Sequence, residues 1–262
     1  KDFIEHSLGP EGLARSIVIV ATGDESPLLR IRAAKLACTA AEYFRDGGLD
    51  VMLMMDSVTR FSHAQRQVGL SVGEPPATKG YTPSVFAQMA LLLERAGCVE
   101  PARPAIAGSV AAGSITGLYT ILVEGDDMTE PIADAARGIL DGHIILSRKL
   151  AQKGHYPAID VLDSISRAAE DVIDKDHSQA RRGVLRLLAA YRDVEELVQI
   201  GAYARGSNPE ADVAIEFNRR IVELLRQGGG DAEAFEAARG RLLAIAKESG
   251  EWLERLIKAK SR

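Results

Sequence analysis

Apolar residues follow two different spacings along this chain, and the change near residue 172 divides it. Before that point short apolar blocks alternate with helical stretches. Phe3, Ile4 and Leu8 suit a short helix stopped at Gly9-Pro10, and Ser16 to Ala21 reads as a buried strand. Pro27 to Phe44 is a helix that opens on proline and stops at Gly47-Gly48. Val51 to Met55 is an unbroken apolar run, the signature of a strand buried on both faces of a parallel sheet. Helical spacing returns up to Val68 and again from Ser84 to Leu93. Ser114 to Val123, His143 to Leu146 and Ile159 to Ile165 read as further extended segments, the last turning at Arg167. This alternation predicts a parallel sheet with right-handed crossovers and flanking helices.

From Ser178 onward the pattern is continuous helix. Val184, Leu187, Leu188, Tyr191, Val194 and Val198 lie on one helix face, and Val213, Phe217, Ile221 and Leu224 on another. Gly228-Gly229-Gly230 separates these from a third helix carrying Phe235, Leu242, Ile245 and Trp252, the last read as packing. The predicted organisation is an α/β domain over 1–172 followed by a small all-helical domain over 173–262. Two segments resist regular structure: Gly73 to Pro83, a shaped loop, and Cys98 to Ala112, an irregular surface loop.

Composition sharpens this picture in three respects. With 46% hydrophobic residues the chain can build a substantial core, yet no run approaches the roughly 20 apolar residues of a membrane span. Neither a signal peptide nor a disulfide framework is readable, since Cys38 and Cys98 stand as free thiols, and the expected compartment is the cytoplasm. A net charge of −5 argues against broad attachment to nucleic acid, and the five histidines show no zinc-site spacing.

Candidate chemistry begins at Asp56. It follows the apolar run where a parallel strand surfaces, the position at which open α/β sheets bind ligands and nucleotide hydrolases hold Mg²⁺. The alternative is an aspartate that only caps the next helix. Taken by themselves, Arg60, one turn further on, and Tyr156, just before Pro157, read as a structural ion pair and as core packing.

Longer motifs carry a resemblance. Ala41 to Asp46, Leu53 to Phe61, Gly73 to Pro83, Val123 to Met128 and His155 to Arg167 are similar, in that order, to the catalytic-subunit family of rotary and type III secretion ATPases, most of all to its flagellar branch. The resemblance implies a RecA-like α/β domain with ATP and Mg²⁺ as cofactors. It implies that Asp56 positions the metal, that Arg60 faces the γ-phosphate region, and that Tyr156 stacks on adenine. Arg167 matches the family's arginine finger, inserted into the site of a neighbouring subunit, which requires an oligomer, a homohexamer. The loop from Gly73 to Pro83 resembles the segment that lines the ring's central opening and meets a stalk-like partner, with Lys79 as its charged contact. Glu124, Asp126 and Asp127 resemble an acidic loop near the subunit interface and are left without a role.

Departures from the family pattern are equally informative. No G-x-x-x-x-G-K-[ST] phosphate loop occurs between Lys1 and Arg262, and the family's catalytic glutamate falls upstream of the position matching Lys1. The RecA-like sheet is therefore expected to be partial, lacking the phosphate-loop strand, and the chain to be the C-terminal portion of a longer polypeptide, inactive by itself. The resemblance implies an ATP hydrolase that energises type III export of flagellar proteins. Implied partners are other copies of itself, stalk-like and peripheral regulators, the export gate and chaperone–cargo complexes, at the cytoplasmic side of the inner membrane. Alternatives are a virulence-type secretion ATPase, a rotary ATP synthase subunit, or a non-catalytic module that docks cargo or chaperones.

Overall fold

The computed structural model describes residues 3–99 and 113–260, so most of the irregular loop expected over Cys98 to Ala112 lies outside the described residues. The chain divides into two compact units, Lys1–Leu140 and Asp141–Arg262, each with its own core.

The first unit opens with a π-helical turn, Phe3–Leu8, followed by α1 (Gly9–Ala14). The short helix ends at Gly9-Pro10 as expected, where Gly9 takes a left-handed φ of 62°, and α1 starts directly after it. Proline is tolerated there because it occupies the first turn of α1, where its missing N–H removes no intrahelical bond. α2 (Pro27–Asp46) starts where the Ser26 hydroxyl accepts the Leu29 amide and ends at Gly47. β1 (Asp50–Met55), α3 (Val58–Ser71) and α4 (Pro83–Leu93) follow, then β2 (Gly97–Cys98), β3 (Ser114–Tyr119) and α5 (Pro131–Ile139). Strand order is β1-β3-β2. β1 and β3 are parallel, from Asp50 opposite Ser114 to Met55 opposite Tyr119, and the short β2 runs antiparallel on the far side.

Leu53 and Ile115 bury one face of this sheet against Ile31, Cys38 and Ala41 of α2, Phe61 and Ala64 of α3, and Leu92 of α4. Two expectations fail here for related reasons. β1 is not buried on both faces: Met52 and Met54 remain more than half exposed. Nor does Ser16 to Ala21 form a strand, and Ile17 and Val20 are exposed. An apolar run marks a strand only where a neighbour completes its hydrogen-bond ladder, and among the described residues none pairs with this segment. A second cluster joins Val58, Tyr81, Val85, Met89, Leu93, Ile132 and Ala136 beneath α3, α4 and α5. Each large aliphatic side chain fully buried there contributes about 1.5–3 kcal/mol.

Gly69 is where α3 meets the segment entering α4. A Cβ at this position would overlap the hydroxyl of the fully buried Thr82 and crowd the Glu74 carboxylate. Gly69→Ala is therefore expected to destabilise the fold by about 1–3 kcal/mol, read as a lower denaturant midpoint at unchanged slope.

In the second unit β4 (Gly142–Leu146) and β5 (Ile159–Ser166) pair antiparallel as a separate two-stranded sheet, with α6 (Arg148–Gln152) between them. Among the described residues the parallel arrangement is thus confined to β1 and β3. α7 (Ala169–Val172) leads to three long helices, α8 (Lys175–Gln199), α9 (Pro209–Leu225) and α10 (Phe235–Lys260). Their shared core is Val184 and Leu187, Val213, Phe217 and Ile221, and Ile245. Trp252 packs its ring edge-on to Phe217 at 5.8 Å. No helix among the described residues is long and apolar enough to cross a membrane.

Candidate nucleotide site and arginine turn

The two parallel strands end side by side, and Thr120 ties their ends together. Its amide donates to the Met55 carbonyl at 3.0 Å and its carbonyl accepts the Val58 amide at 3.0 Å. Its hydroxyl reaches Asp56 Oδ1 at 3.2 Å and the Met55 carbonyl at 3.3 Å. Beside it the Leu122 amide donates to Thr59 Oγ1 at 2.9 Å. A cis peptide joins Asp56 to Ser57. The next residue decides between the two readings of Asp56: Ser57, not Asp56, caps α3, its buried hydroxyl accepting the Arg60 amide. The Asp56 carboxylate is exposed beside the start of a 14-residue helix, whose positive dipole end favours a phosphate.

Arg60 lies in the first turn of α3, exposed, and takes no part in an ion pair among the described residues, so the structural-pair reading finds no support there. Among those residues no group of three or more His, Cys, Asp or Glu could cage a metal. The donor chemistry still fits Mg²⁺, which usually takes one or two carboxylates and fills its other positions with water and substrate phosphate. Asp56 offers the carboxylate. Thr120 and Thr59 escaped sequence reasoning because their contacts depend on the β1–β3 register: Thr120 lies inside the extended segment expected over Ser114 to Val123, whereas β3 ends at Tyr119.

The loop from Gly73 to Pro83 folds back on α3. Tyr81 is buried, with its hydroxyl 3.1 Å from His63 Nε2 and the Arg66 guanidinium over its ring. Burial, reinforced by Glu130, pushes the Tyr81 phenol up to about 12. Lys79 adopts a left-handed backbone, φ 51°, and its ammonium binds Asp127 Oδ2 at 3.0 Å. Lys79 thus has a partner within its own unit, in the acidic segment Glu124 to Asp127. The Thr129 hydroxyl and then Lys79 lower the Asp127 carboxyl from 3.8 to about 2. A carboxyl lowered on folding stabilises the fold fully above its unfolded value and loses that contribution as pH falls through the folded one. The stability difference between the parent protein and Asp127→Asn should be complete at pH 5 and fade as pH falls from 3.8 to about 2, measured by denaturant unfolding at each pH.

In the second unit Tyr156 is 58% exposed, which removes the core-packing reading. Its peptide to Pro157 is cis, and its carbonyl accepts the Gln227 amide at 2.9 Å. The neighbouring His155 is buried and its imidazole is shifted below its ordinary value by that burial and by Arg226. Arg167 occupies the exposed turn after β5, its amide donating to the Asp141 carbonyl at 2.7 Å.

A parallel α/β sheet whose strand ends present an acid beside a helix start defines a nucleotide-binding class of protein. The chain belongs to the ATP synthase alpha/beta family, nucleotide-binding domain, which it matches over residues 1–166, and residues 173–244 match the T3SS EscN ATPase C-terminal domain. The flagellum-specific ATP synthase of Treponema pallidum is 53% identical over 235 residues, covering 90% of this chain and 50% of that protein. The Type 3 secretion system ATPase of Xanthomonas euvesicatoria is 49% identical, with 95% and 54% covered. Among solved structures, the assembled ATPase EscN of the enteropathogenic E. coli type III secretion system superposes with a TM-score of 0.80 at 44% identity, covering 87% of this chain and 52% of that one. EscN has also been solved in complex with its central stalk EscO, and that chain matches with a TM-score of 0.79. The chain thus spans about half the length of the relatives it matches.

Proposed function

We propose that this chain is the C-terminal portion of an ATPase that hydrolyses ATP to ADP and phosphate to energise type III export of flagellar proteins. Residues 1–172 are part of its RecA-like domain and 173–262 its C-terminal helical domain. The observation that carries the reading is the exposed Asp56 at the joined ends of two parallel strands, outside the helix cap and held by Thr120. The relatives at about half identity agree with it.

In this reading Asp56 holds the Mg²⁺ hydration shell, Arg60 binds phosphate oxygens and Tyr156 stacks on the adenine ring. Mg²⁺, when bound, neutralises charge on the phosphates. Arg167 reaches the site of the next subunit in a homohexamer, where its guanidinium stabilises charge on the transferring phosphoryl group. A stalk-like protein, peripheral regulators, the export gate and chaperone–cargo complexes are its partners, at the cytoplasmic face of the inner membrane. A virulence-type role is the second reading, favoured by the Xanthomonas relative and EscN; flagellar rod or hook genes beside this one decide for the first.

Hydrolysis measured against protein concentration in the full-length polypeptide tests the reading. Specific activity should rise steeply as subunits assemble, and the 262 residues alone, without a phosphate loop, should give no turnover above background. A concentration-independent specific activity in a stable monomer would overturn it.

A further inference from the structure

Arg167 sits in a turn between a two-stranded sheet and a helix of four residues, neither of which is stable without support. Its amide donates to the Asp141 carbonyl at 2.7 Å. On both sides of the turn, however, side chains of the long helix α8 grip the chain. Before it, the Arg192 fork binds two β5 carboxylates at once, Asp160 Oδ1 at 2.6 Å and Asp163 Oδ1 at 2.9 Å. Asp160 also accepts the Leu162 and Asp163 amides, at 3.1 and 3.2 Å, so the grip passes directly to the backbone of β5. After the turn, Glu170 of α7 accepts from Ser178 Oγ at 2.5 Å and pairs with Arg181 at 2.7 Å and Arg182 at 3.3 Å. The Ser178 bond, then Arg181, bring the Glu170 carboxyl down to about 2, so this grip stays charged at neutral pH.

We propose that α8 is the positioning element of Arg167: Arg192 on one side and the Ser178, Arg181 and Arg182 cluster on the other strap the arginine turn to a single rigid helix. Ser178 and Arg192 are two heptads apart and so share one side of α8, and the gap from Arg181 to Arg192 is about 16 Å at 1.5 Å per residue. Between the straps Val184 and Leu187 fix α8 in the three-helix core. Exposed ion pairs add little to stability singly, but two straps on either side of one turn fix its position. Any shift of α8 therefore carries Arg167 with it, which couples the helical domain to hydrolysis. The inference rests on the reading of Arg167 as the residue that reaches a neighbour's nucleotide.

The test uses the full-length polypeptide with Arg192→Gln, Arg192→Lys and Glu170→Gln. Hydrogen exchange at the Arg167 amide should accelerate about tenfold in the two Gln variants, with β1 unchanged. Their kcat for ATP should fall about tenfold with KM within about twofold, and Arg192→Lys should recover part of both losses. Unchanged exchange overturns the straps, and faster exchange with unchanged kcat overturns the positioning role. If Arg167→Ala leaves turnover intact, the reading beneath fails instead, and the exchange measurement still decides the straps separately.

Discussion

Arg167→Ala in the full-length polypeptide is expected to lower kcat for ATP hydrolysis by about 10³-fold or more while ATP still binds. The size follows from where the charge acts. As the γ-phosphoryl group transfers, negative charge spreads over its oxygens, and a guanidinium held against them stabilises that state more than bound ATP. A thousandfold loss corresponds to about 4 kcal/mol of transition-state stabilisation. The residue is exposed, and alanine retains the backbone bond to the Asp141 carbonyl. The measurements are single-turnover kinetics, equilibrium nucleotide binding and a thermal unfolding curve. Arg167→Lys should recover little, because a point charge cannot reproduce the planar fork.

The second large effect concerns Asp56. Asp56→Ala is expected to reduce kcat by about 10²-fold or more and to raise the Mg²⁺ concentration needed for half-maximal turnover. Its structural cost should be small, within about 0.5 kcal/mol, because Ser57 caps α3 and Asp56 is exposed. The contrast with Ser57→Ala is diagnostic. Losing the cap should cost about 1 kcal/mol of stability and shift Asp56 only indirectly. A titration of activity with Mg²⁺ on both variants separates positioning of the metal from support of the helix.

Most of the helices were legible because their apolar spacing is set locally. Ser26-Pro27 and Gly47 bound α2 with chemistry readable within a few residues. Asp56 stood out because an acid after five apolar residues breaks the pattern of a strand. What was not legible depends on residues far apart in sequence. Ser16 to Ala21 has the composition of a buried strand, but a strand is completed by its neighbour's backbone, which lies outside its own residues. Thr120 reaches Asp56 across 64 positions through the β1–β3 register. Arg192 reaches Asp160 across 32. Nor could sequence tell that Lys79 is held by Asp127 within the same unit. The family motifs pointed to Asp56, Arg60, Tyr156 and Arg167 as single residues; the structure adds which neighbours hold each one.

In the proposed ring one subunit supplies Asp56 and the next supplies Arg167. Mixing the two inactive full-length variants, Asp56→Ala and Arg167→Ala, under conditions of subunit exchange tests it most directly. In a randomly mixed ring, an Arg167→Ala subunit with intact Asp56 meets a neighbour with intact Arg167 at about a quarter of interfaces. Turnover should accordingly recover to about a quarter of the parent enzyme's rate at equal mixing, from near zero in either variant alone. Mixed rings that remain as inactive as the separate variants would contradict the account.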